Sequence, residues 1–124
     1  MINNNLKARK STYGSFLRID FSTQDGENVG YTNIQLKKGW NQIHIEIFEK
    51  YRKMGYAIKM LEYNIKQYDY IVFPENRITN KSAITAIIAK FSKNPTYEVF
   101  ETKYDETVIS NGKQTRQDIL LTLA

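Results

Sequence analysis

Glu49-Lys50-Tyr51-Arg52-Lys53-Met54-Gly55-Tyr56-Ala57 joins two segments whose hydrophobic periods differ. Before it, Trp40 to Glu49 alternates apolar Ile43, Ile45 and Ile47 with polar Gln42, His44 and Glu46, the period of a strand with two unlike faces. After it, Ile58, Leu61, Ile65 and Tyr68 recur at helical spacing with Lys59, Glu62, Lys66 and Gln67 opposite, which predicts an amphipathic helix over about Gly55 to Tyr68. The nine residues thus carry the chain from a strand end to a helix start. A helix N-terminus offers unpaired main-chain N–H groups and about half a positive charge, and the two together bind phosphate oxygens. Gly55 lets a diphosphate approach the main chain, small Ala57 keeps the first turn open, and Arg52 and Lys53 add charge. The competing reading is a glycine that only turns the chain, beside two solvated cations. One glycine is neither the multi-glycine dinucleotide fingerprint nor a P-loop, so hydride transfer and nucleotide hydrolysis are not supported.

Downstream, Tyr70-Ile71-Val72-Phe73 is an apolar run closed by Pro74, as in a strand buried on both faces. It completes a β-α-β unit whose two strands run parallel through a right-handed crossover. Thr79 or Asn80 is placed to cap a second helix, with Ala83, Ile84, Ile87, Ile88 and Phe91 as its apolar stripe and Asn94-Pro95 as its stop. Thr96 to Thr102 reads as a strand, Asn111-Gly112 as a hairpin turn, and Gln117 to Leu123 as a closing strand. Upstream, Tyr13 to Phe21 and Val29 to Lys37 read as strands separated by a turn over Ser22 to Asn28, so three antiparallel strands lead into the β-α-β unit. Met1 to Ser11 reads as a flexible polar end, leaving 12–124 as one domain of α+β class.

With 124 residues, 41% hydrophobic and 25% charged, the chain has the balance of one globular domain that needs no metal or disulfide to hold its core. It has no cysteine, which removes disulfides, thiolate metal ligands and a cysteine nucleophile together and makes a cytoplasmic location the simplest expectation. No segment approaches the run of about 20 apolar residues that spans a bilayer, so no membrane partner is expected. The net charge of +5 is spread among acidic residues without a dense basic block. Nucleic acid is therefore not implied, while a cofactor bearing several phosphates would suit the same field.

Arg52-x-x-Gly55-x-Ala57, at a strand end and opening a helix, resembles the Gln/Arg-x-x-Gly-x-Gly/Ala motif of the GNAT N-acetyltransferase superfamily. The resemblance extends over about Trp40 to Phe91 and includes Asn80-x-x-Ala83, similar to that family's Asn-x-x-Ala segment. It implies a GNAT-like mixed, mostly antiparallel sheet with a central β-α-β unit and two main helices. It also implies acetyl-CoA as acyl donor, its diphosphate held by the main chain of Arg52, Lys53, Met54, Gly55, Tyr56 and Ala57, and its pantetheine arm beside Ile47 and Asn80.

The departures bear on activity. Ile87 stands where many members carry the tyrosine that protonates the leaving thiolate, and Asn41 and Gln42 stand where many carry a glutamate base. His44 and Glu46, alternating out of one face of the same strand, are the remaining candidates for a catalytic base. The short Ser22 to Asn28 turn replaces the two helices that shape the family's acceptor pocket, which implies a cleft that is open or is completed by a second copy of the chain. Three functions follow: an acetyl-CoA-dependent N-acetyltransferase acting on an amine of a protein or small molecule; a non-catalytic binding or interaction domain of the same fold; and, least favoured, a basic nucleic-acid module.

Overall fold

A computed structural model of the chain describes residues 5–74 and 81–124. Strand β1 (Lys7–Tyr13) turns through Gly14-Ser15 into β2 (Phe16–Ser22), with Tyr13 paired to Phe16 and Lys7 to Ser22. Gly14 has φ 61° and Ser15 has no positive φ, the first-position glycine that a two-residue hairpin loop of type II′ requires. β3 (Asn28–Gln35) and β4 (Gln42–Ile47) continue the meander. Helix α1 (Tyr56–Tyr68) then crosses to β5 (Tyr70–Phe73). Helix α2 (Lys81–Ser92), β6 (Glu98–Glu101), β7 (Thr107–Ser110) and helix α3 (Arg116–Leu123) complete the order.

The seven strands form one sheet in the order β1-β2-β3-β4-β5-β7-β6. Every neighbouring pair is antiparallel except β4 and β5, which are parallel. This is the α+β arrangement expected, a mixed, mostly antiparallel sheet with the β-α-β unit in its middle.

The buried apolar residues sort onto two faces of the sheet. Leu17, Ile19, Phe21, Ile34, Ile43, Ile71 and Phe73 pack with Met60, Leu61 and Ile65 of α1 and Phe91 of α2 in one cluster. Tyr97 ties the two helices together, its ring edge-on to Phe91 and its hydroxyl donating to the Glu62 carboxylate on α1 at 2.7 Å. On the opposite face, Tyr70, Val72, Phe100 and Val108 pack under Ile119 of α3. That helix covers β5, β7 and β6, and among the described residues nothing covers the same face over β1 to β4.

Three expectations are corrected. Lys7 to Ser11, read as part of a flexible end, lies in β1 and pairs with Arg18 to Ser22. The closing segment is helix α3, because the Thr115 side chain accepts from the Asp118 main-chain N–H at 3.1 Å and caps it. The Asn111-Gly112 turn consequently leads into a helix, and β6 and β7 are joined earlier, through Thr102 to Glu106, with Asp105 at φ 60°. The expected caps Thr79 and Asn80 lie outside the described residues. No helix among the described residues is long and apolar enough to cross a membrane.

Candidate functional site

β4 and β5 meet at a single register pair, Gln42 with Val72, and then diverge. Asn41 fixes that meeting point. It sits at φ 47°, its main-chain oxygen accepts from Val72 N–H at 2.9 Å, and its side-chain amide donates to the main-chain oxygens of Tyr70 (3.0 Å) and Tyr68 (3.3 Å). Asn41 is therefore a clamp between the strands. Phe48 N–H donates to Val29 O, so by strand alternation the main-chain groups of Ile45 and Ile47 point the other way, toward the gap that opens past the clamp.

The gap is a cleft of about 720 Å³. One end reaches the start of α1, where Gly55 occupies the N-cap at φ 82° and no side chain caps the helix. Its first main-chain N–H groups are thus left for another acceptor. The loop leading there is pinned on both sides. Tyr51 is buried, its ring edge-on to Tyr56 with centroids 6.0 Å apart, and its hydroxyl donates to the Glu27 carboxylate on the β2–β3 turn. Lys50 adds an ion pair to the same carboxylate at 3.7 Å. The hydrogen bond from Tyr51, then the Lys50 charge, lower the Glu27 pKa, and the bond to Glu27 raises that of Tyr51.

The cleft also passes through the sheet, because its lining includes both apolar Ile43 and Ile45 and the outward-facing Gln42, His44 and Glu46 of the same strand. Across from β4, Ile84 and Ile87 of α2 give it an apolar wall.

The expected site residues fall out as follows. Lys53, Gly55, Tyr56 and Ala57 line the cleft, with Lys53 exposed at φ 64° and Tyr56 buried. Met54, between them, is exposed. Arg52 lines the cleft too, but its Nε donates to Ile47 O at 2.9 Å and its guanidinium pairs with Glu46 at 3.3 Å. Arg52 therefore splints the end of β4, and Glu46 already has a partner. His44 is exposed, with the Tyr31 ring 6.5 Å from its own and no side-chain hydrogen bond among the described residues. Asn80 lies outside the described residues. Sequence reasoning missed Glu27, Tyr51 and Asn41, whose partners lie 24 or more residues away along the chain. No group of three or more His, Cys, Asp or Glu residues suited to a metal ion occurs among the described residues.

No protein-family model matches the chain, and no curated protein matches it. Among solved structures, a mutant form of the spermidine/spermine N-acetyltransferase SpeG from Vibrio cholerae aligns with 77% of this chain and 64% of its own, at 11% identity and a TM-score of 0.47.

Proposed function

We propose that this chain is an acetyl-CoA-dependent N-acetyltransferase that moves an acetyl group to an amine. The observation that carries the reading is the course of the cleft, from an uncapped helix N-terminus, along the unpaired edge of β4, through to a polar face of the sheet. A diphosphate is held by the main-chain N–H groups that open α1, with Lys53 beside it, and the left-handed Gly55 keeps a side chain out of the approach. An amide-bearing arm finds the main-chain groups of Ile45 and of Ile47, whose N–H remains available while its oxygen is taken by Arg52. Acetyl-CoA, when bound, supplies the activated thioester.

The chain's own residues then determine what happens to the proton. The His44 side chain opens onto the polar face with no hydrogen bond of its own among the described residues, and a neutral imidazole there takes a proton from the substrate ammonium, which frees the amine lone pair to attack. Glu46, engaged by Arg52, is the second candidate for that role. Ile87 keeps the far wall apolar and supplies no acid, so the leaving thiolate takes its proton from solvent. Orientation alone carries much of such a transfer. Ile87 equally favours the second reading, a binding domain that keeps the cleft without turnover.

Thermal unfolding with and without acetyl-CoA tests the cofactor, and release of free thiol on adding amines separates the two readings. At about a hundred times Kd the ligand adds about 2.7 kcal/mol. Gly55→Glu places a carboxylate where the diphosphate would lie and is expected to abolish that gain. A gain that persists in Gly55→Glu places the diphosphate elsewhere.

A further inference from the structure

The acceptor half of the cleft has a chemistry of its own. On the uncovered face it is lined by Phe16, Asn33, Gln35, Gln42, His44 and Glu46. The register sets Gln35 against Gln42 and Asn33 against His44, so three carboxamides form one patch on two adjacent strands beside the candidate base. The side chains of Asn33 and Gln35 have no hydrogen-bonding partner among the described residues, and that of Gln42 makes one long bond, to Glu106 at 3.4 Å.

The carboxylates of this face are already engaged. Asp20 pairs with Arg18 at 3.0 Å, whose guanidinium lies on the Tyr31 ring at 3.9 Å, Glu46 pairs with Arg52, and Glu106, at the Gln42 edge, accepts from the Gln42 and Thr102 side chains. A polyamine presents only cationic donors and needs anionic acceptors, which are taken here. A peptide group offers one donor and one acceptor, and a carboxamide answers both.

Access agrees with the chemistry. Among the described residues nothing lies over this face across β1 to β4, while Tyr13, Phe16 and Phe48 flank it at 67%, 44% and 40% exposure. An open apolar-rimmed surface suits an extended segment of another protein and gives a small amine no walls.

Building on the acetyltransferase reading, we infer that the acceptor is an amine carried by an extended peptide segment laid across β3 and β4, rather than a free polyamine. In the transfer the amine nitrogen bonds to the thioester carbonyl carbon as the carbon–sulfur bond breaks. The ammonium proton goes to His44, the second nitrogen-bound proton passes to solvent as the amide forms, and the thiolate takes one proton from solvent and leaves as free thiol.

The test is acetylation by the full chain, with acetyl-CoA, of unstructured peptides each bearing one free amine, against spermidine and putrescine, followed by thiol release and by product mass. The best peptide is expected to exceed spermidine in kcat/KM by roughly tenfold or more, the margin that unmatched polar groups impose. Asn33→Ala and Gln35→Ala are each expected to raise the peptide KM roughly three- to tenfold, a hydrogen bond's worth, and to leave the acetyl-CoA thermal shift unchanged. Spermidine equalling the best peptide, or a peptide KM indifferent to both substitutions, overturns the inference. So does an acetyl-CoA shift with no acetylated peptide, and that result spares the cofactor site. Absence of both the shift and any product removes the acetyltransferase reading and this inference with it.

Discussion

The two ends of the sheet are built on opposite plans. At the β5-β7-β6 end all four residues of β5 are buried, with α1 and α2 on one side and α3 on the other. At the β1–β4 end only one face is packed, and β1 alternates hardly at all, six of its seven residues being exposed. The closed end fixes where β5 runs, the clamp at Asn41 fixes where β4 leaves it, and the open end is where a ligand can arrive. Rigidity and access are thus divided between halves of one sheet, with the cleft on the seam.

The sharpest way to break that comparison is to remove one apolar side chain from each half. Ile119→Ala empties the interior under α3, and about 2–5 kcal/mol of stability should be lost in urea unfolding. Phe48→Ala, on the open face, should change stability by no more than about 0.5 kcal/mol. If Phe48→Ala costs as much as Ile119→Ala, or its effect grows with protein concentration, the open face is covered in solution by a second copy of the chain.

The seam is tested next. Asn41→Ala removes two hydrogen bonds that hold β4 to the end of α1 and to β5, and leaves alanine at φ 47°. The loss should be about 2 kcal/mol or more, summed from the two bonds and the backbone strain. Asn41→Gly, which relieves the strain but not the lost bonds, should recover part of it. Equal stability of the two variants would mean that the backbone at this position is unstrained.

The halves also differed in how far they could be read from residues alone. The stretch from β4 to β5 was legible because its period changes from two to helical across the loop, and both signals are strong there. β1 was not, because Lys7 to Tyr13 is an edge strand held by its main-chain pairing to β2, and such a strand needs no apolar alternation. Gly14, read as part of one long strand, is the left-handed residue that divides two. The closing helix was misread from its apolar run, although Thr115 and Asp118, three apart, carry a capping signal. At the site, the placement of Gly55 and Ala57 followed from the strand-to-helix junction. The engagement of Arg52 with Glu46 did not, since it depends on the loop folding back along β4.

The smallest expected effect lies in the pin that holds the loop before α1 to the open half. Glu27 has a pKa below its ordinary value of 4.5, from the Tyr51 hydrogen bond first and Lys50 second. Its contribution to stability is therefore present above that ordinary value and is lost as pH falls through the lowered one. The Tyr51 pKa is raised above 10.0, so the same bond contributes below that pH and fades as pH rises through the raised value. Glu27→Gln should lose less stability than the native chain between about pH 7 and about pH 3, because it has no such carboxylate to protonate. In the same variant the loop loses its charged anchor, and the acetyl-CoA Kd should rise by a few-fold at about pH 7, the cost of ordering a loop that Glu27 otherwise holds in place. A native chain whose acid sensitivity equals that of Glu27→Gln would show that the Tyr51 contact contributes nothing in solution, and the loop would then owe its position to the packing of the Tyr51 and Tyr56 rings and to the bonds from Arg52 to Ile47 and Glu46.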